Sequence, residues 1–183
     1  MSTTEHPAIT KTKQWLETIV IGLNFCPFAK KEFVNNTIRY HKSSLGRIEQ
    51  AIEELAAECL HLIDNPDVET SLIIYTTGFR QFDKYLDLVD YANDLIEHLE
   101  LEGILQVASF HPDYMFEGED EASAANYTNR SPFPTIHLIR EASMEKVLSV
   151  YQNPEQIPED NIELAHEKGA QYFKRFLASL HKM

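Results

Sequence analysis

The sequence is poor in cysteine, glycine and cations, and each shortage excludes something. Two Cys in 183 residues cannot build a disulfide framework. The 6 Gly include no GxGxxG or GxxxxGK[ST] spacing, which argues against nucleotide cradles of those types. No Gly-x-Ser-x-Gly elbow occurs, so a serine hydrolase of that class is excluded. No apolar run approaches the roughly 20 residues that a bilayer span needs. Lys+Arg total 16 against 29 Asp+Glu, a formal net charge of −13, so neither nucleic acid nor an anionic membrane is an expected partner. What remains is 43% hydrophobic and 25% charged, the balance of a soluble globular protein. With no linker, repeat or low-complexity tract, one domain over 1–183 is expected.

The first 23 residues lack the basic start and unbroken apolar stretch of a secretory signal. Ile9, Trp15, Leu16, Ile19, Val20 and Leu23 recur at helical spacing instead, so the cytoplasm is the expected compartment. Cys26-Pro27 breaks that helix and starts a short one, with Cys26 as its N-cap. Alternation predicts a strand over 37–42, and 71–77 reads as a buried strand. Strands are also expected over 104–111 and 135–140. Amphipathic helices are predicted over 47–64 and over 82–102, the latter stopped by Gly103. Ser143 caps a further helix, and Asp160 with Glu163 begins a last one running to Leu180. The fold class is therefore α/β: a small mixed four-stranded sheet covered by helices, in a two- or three-layer sandwich.

Between the last two strands lies a 23-residue connection, 112–134, with little periodicity. Loops of this length in compact domains are usually functional or disordered. Its aromatic and proline residues predict an ordered loop over the strand ends. The neighbourhood is rich in chemistry-bearing side chains: His111 and Asp113 at its start, Asn126, Asn129 and Arg130 at its end, then His137 and Arg140 on the final strand. If Ile136 and Leu138 face the core, His137 faces the other way. With Arg39, His41 and Gln106 it would form a polar sheet face, either solvated or the floor of a pocket. Arg130 and Arg140 offer forks for a carboxylate or phosphate, unless Arg130 merely ties the loop down. Imidazole titrates near working pH, which makes His111 and His137 candidates for acid–base work. Cys26 at a helix start near Lys30 and Lys31 is a candidate nucleophile, or else a small buried residue at a tight corner. The set His111, Asp113 and His137 does not fix a metal geometry, so neither metal nor other cofactor is expected.

Four blocks, IGLNFCPFA (21–29), LQVASFHPDYMFEG (105–118), NYTNRSPFPTIHLIRE (126–141) and PEDNIE (158–163), resemble the signature blocks of an uncharacterised bacterial family of about this length, catalogued only as a domain of unknown function. The resemblance spans nearly the whole chain and includes Cys26, His111, Asn126, Asn129, Arg130, His137 and Arg140. Phe25 and Phe133 stand where Leu and Tyr are often found. It implies a single cytoplasmic domain in a bacterium and brings no reaction with it.

Three functions stay open at this level. The first is an enzyme acting on a small anionic metabolite, with Arg130, Asn129, Asn126, Arg140 and Arg39 binding and His111, His137 and Cys26 reacting. The second is a non-catalytic small-molecule-binding or regulatory domain using the same pocket. The third is an acidic protein-interaction domain. The sequence leaves the oligomeric state undetermined.

Overall fold

The structure, a computed structural model, describes residues 5–182. Four strands form one sheet in the order β1-β2-β4-β3: β1 (Ile38–Ser43), β2 (Thr70–Tyr75), β3 (Leu105–Phe110) and β4 (Thr135–Arg140). β1 and β2 are parallel, and β4 runs antiparallel between β2 and β3. The mixed sheet is thus as expected, with its last strand inserted into the middle.

Side chains alternate across each strand, and the two faces collect two cores. One face presents Ile73, Tyr75, Leu105, Ile136 and Leu138 to α3 (Ile48–Asp64) and α4 (Phe82–His98). Ala51, Leu55, Cys59 and Leu62 on α3, and Tyr85, Leu88, Ala92 and Ile96 on α4, recur every three or four residues and are buried. The other face presents Leu72 and Ile74 to α1 (Pro7–Trp15), to α6 (Ile157–Lys168) and to α7 (Ala170–His181). The architecture is a three-layer α/β/α sandwich.

The first helix is not uniform. After Trp15 it widens into a π-helical stretch, Leu16–Ile21, which turns Leu16, Ile19 and Val20 inward together. Wide turns of this kind are rare and often lie at functional sites. A short helix, α2 (Ala29–Val34), follows with Phe28 as its N-cap. Cys26 therefore sits outside α2 and does not cap it.

Three other boundaries differ from expectation. α4 ends at His98, before Gly103. Glu100 takes the left-handed position (φ 57°), Leu101 N–H bonds the Ile96 carbonyl and Glu100 N–H bonds that of Glu97. This is a Schellman closure in which burial of Leu101 beside Ile96 outweighs the strain of a non-glycine residue. Ser143 does not cap α5 (Glu141–Leu148); its hydroxyl donates to Glu69 at 2.6 Å. The last helix is two, because Gly169 adopts φ 77°, ψ 148°, open only to glycine.

The long connection is ordered. It carries a 3₁₀ turn, Ala124–Thr128, and Tyr127 stacks on Phe173 of α7 with ring centroids 5.2 Å apart.

Candidate functional site

Most of the polar residues singled out in the sequence serve the fold. Asn126 is fully buried; its Oδ1 accepts from Phe116 N–H and its Nδ2 donates to the Asp120 carbonyl. Arg130 lies inside the same loop, 8% exposed. Its Nε donates to the Tyr114 carbonyl and its Nη2 to that of Glu121, both at 3.0 Å. Arg140 donates to the carbonyls of Leu62, Asn65 and Val68, closing the end of α3 and the turn after it. These forks grip main chain through Nε and Nη2, so that edge of Arg130 and of Arg140, expected to clamp an anion, is already engaged. His111 is buried between Phe82 and Tyr85. Its Nε2 donates to the Phe79 carbonyl at 2.9 Å, and its Nδ1 accepts from Asp113 N–H at 3.0 Å. Burial pushes its pKa down, and neither nitrogen is left for a proton transfer or a metal. Among the described residues no group of three His, Cys, Asp or Glu is placed to hold a metal ion.

The expected single polar sheet face is divided in two. In the sheet register Ile38, Thr70, Ile139 and Gln106 align, and so do Tyr40, Leu72, His137 and Ala108. His137 and Gln106 therefore share the α1 face, whereas Arg39 and His41 point to α3. There Arg39 makes two bonds of 2.9 Å to Glu58. His41 contacts Glu54 at 2.9 Å through Nε2 and Glu58 at 3.1 Å through Nδ1, and Ser71 donates to Glu58. Burial alone would raise the Glu58 pKa, but bonds from His41, Arg39 and Ser71 hold it well below the usual range. The Glu58 bond likewise raises the His41 pKa against desolvation. Sequence reasoning missed Glu54 and Glu58. The available signal was a carboxylate beside the apolar α3 stripe, opposite a strand carrying Arg39 and His41.

Two of the three expected reactive residues do meet. Cys26 and His137 both line a cavity of about 250 Å³ between the sheet and the π-helical stretch. Its walls are mostly apolar: Trp15, Leu16, Val20, Phe28, Leu72, Ala108 and Phe110, with Met144 of α5. A second pocket of about 320 Å³ shares Val20, Cys26 and Phe110 and adds Asn129 and Asn161. A third, of about 400 Å³, lies over the ends of β2 and β3, where Arg80 and Asp113 oppose each other in charge.

The first cavity holds the chemistry. His137 lies against Thr70, whose hydroxyl donates to the Leu138 carbonyl at 2.6 Å. That spends the only hydroxyl proton of Thr70, so His137 Nε2 carries a hydrogen and donates to Thr70 Oγ1. Nδ1 is then an acceptor, with no protein hydrogen bond among the described residues. The ring keeps an accessible edge on the cavity, yet desolvation lowers its pKa to about 3. Burial also raises the Cys26 pKa, and bonds from the Phe28 and Ala29 amides offset this only in part. The thiolate expected at Cys26 is thus disfavoured. Trp15, placed by the sequence on the apolar stripe of the first helix, is 1% exposed, and its indole N–H has no hydrogen-bond partner among the described residues.

A neutral, partly buried imidazole makes the fold acid-sensitive. The His137 pKa falls from 6.5 unfolded to about 3 folded. Its contribution is therefore complete above 6.5 and lost as pH drops toward 3. His111 acts in the same direction, while His41 opposes it only above about 6.5. Stability should fall by about 2 kcal/mol from pH 7 to pH 5 through His137 alone. Urea unfolding at the two pH values checks this, and an unchanged midpoint would show that His137 stays hydrated.

The family model described as "Protein of unknown function (DUF1415)" matches residues 7–175. No curated protein and no solved structure matches the chain. Among the described residues no helix is long and apolar enough to cross a membrane.

Proposed function

The chain belongs to the DUF1415 family, and we propose that it is a small-molecule-binding domain whose ligand occupies the cavity between the sheet and the π-helical stretch. The observation that carries this reading is a mostly apolar void of about 250 Å³ with one unpartnered ring nitrogen of His137 on its wall. A dry cavity of roughly 150 Å³ takes a benzene ring, so this one suits on the order of ten non-hydrogen atoms. Binding is better supported than turnover. A general base works best with a pKa near the operating pH, and burial displaces both His137 and the Cys26 thiol into their neutral forms. The two free cysteines, Cys26 and Cys59, support a reducing compartment such as the cytoplasm.

Ala108 lines the cavity from β3, and Ala108→Leu should fill part of it. A thermal-shift screen of small neutral compounds against wild type and this variant provides the test. Neutral compounds should stabilise the wild type and lose at least about tenfold in affinity in Ala108→Leu, roughly 1.4 kcal/mol. Equal binding to both proteins would place the ligand elsewhere. Stabilisation by carboxylates or phosphates alone would favour the anion-utilising enzyme instead.

A further inference from the structure

The cavity's polar groups narrow the ligand further, on the premise that it is the binding site. We infer that the ligand is a flat, uncharged molecule bearing one hydrogen-bond acceptor, met by the Trp15 indole N–H, and one donor, met by His137 Nδ1.

The indole is almost fully buried and its N–H has no protein partner among the described residues. Leaving such a donor unpaired forfeits its bond to water without replacement, so native folds rarely keep one without use. Trp15 stands between the cavity and a seam against Tyr127, Phe173 and Arg130. That seam has no free volume for an acceptor; the cavity does. On the opposite side of the requirement, His137 Nε2–H is taken by Thr70, leaving Nδ1 able only to accept.

Charge is excluded by the lining. Among the described residues no Lys or Arg lines the cavity, so an anion would be buried without a counter-charge. The charged lining residue is Glu32, whose oxygens are held by Lys31 at 3.2 Å and the Thr37 hydroxyl at 2.5 Å. Flatness follows from the rings of Trp15, Phe28, Phe110 and His137 around the space, with Trp15 edge-on to Phe110 at 5.2 Å. Aromatic amides and lactams have this shape and this pairing of groups.

Trp15 is the single tryptophan of the chain, so its fluorescence reports on this wall alone. Four probes of similar size separate the possibilities: benzamide with donor and acceptor, acetophenone with an acceptor only, toluene with neither, and benzoate with a charge. Benzamide is expected to perturb the emission with a Kd at least about tenfold below that of toluene, acetophenone to fall between them, and benzoate to have no effect. In His137→Phe benzamide should weaken to the level of acetophenone. In Trp15→Phe, followed by thermal shift, acetophenone should weaken to the level of toluene. Equal affinity for toluene and benzamide would overturn the inference and leave the binding site standing. Tightest binding by benzoate would also overturn it. If none of the neutral probes binds, the site itself is wrong and the inference falls with it.

Discussion

Arg130→Lys is expected to lower the unfolding free energy by about 2–3 kcal/mol while leaving the affinity of the cavity for neutral compounds within about twofold. The guanidinium reaches two carbonyls that lie apart in sequence, Tyr114 and Glu121, at 3.0 Å each. It also lies over the Tyr127 ring, 4.6 Å from its centroid. One planar group thus holds the start, the middle and the end of the 112–134 connection, where Asn126 already bridges Phe116 and Asp120. An ammonium cannot reproduce two divergent bonds from one fork, and a hydrogen bond to a charged donor contributes about 1.5–3 kcal/mol. Some of the loss is recovered because lysine keeps a cation near Tyr127. Equilibrium urea unfolding gives the first quantity and Trp15 fluorescence titration the second. Unchanged stability with a loss of anion binding would restore Arg130 as a ligand clamp.

Arg130 also marks where the sequence stops being informative. That it belonged to a loop rich in donors was legible. Which groups those donors would meet was not, because they lie 9 and 16 residues away along a segment without periodicity. The regular elements fared better. The stripes of α3 and α4 and the alternation of β1 and β4 placed those elements to within one or two residues at most ends. The exceptions have local causes: α4 closes through Leu101 and Glu100, not at the glycine three positions on, and Gly169 splits a stripe that looks continuous.

The cavity was legible only in pieces. Cys26 and His137 stood out as residue types, but their meeting depends on β4 entering the sheet between β2 and β3, a long-range choice. Placing Arg39 and His41 on the face of His137 failed for the same reason, since facing depends on register and a one-residue offset reverses it. The π-helical widening after Trp15 has no pattern to give it away. The burial of the Trp15 N–H without a partner among the described residues depends on packing between layers, which no local pattern encodes.

The charge network under β1 leads to the second large effect. Glu58→Gln should cost about 3 kcal/mol near pH 5.5, the low end of the range for breaking a buried pair, because Arg39 remains about a third exposed. Glu58 is 4% exposed and accepts from Arg39, His41 and Ser71. A glutamine of the same shape keeps one acceptor oxygen but turns two cationic contacts into neutral ones. The pH dependence follows from the two opposite shifts. The depressed Glu58 contributes stability that is present above its unfolded value of 4.5 and lost as pH falls through the folded one. The raised His41 contributes stability that is complete below 6.5 and lost as pH rises through its folded value. Both contributions are complete together only between about 4.5 and 6.5, so the cost of Glu58→Gln should peak there and shrink toward pH 9. It should not vanish at pH 9, because Arg39 stays charged. The acid sensitivity from His137 occurs in wild type and variant alike and cancels in the difference. Paired unfolding curves at pH 5.5 and pH 9 decide the matter. A difference below about 1 kcal/mol at both would mean that solvent screens these charges as it does an ordinary surface pair.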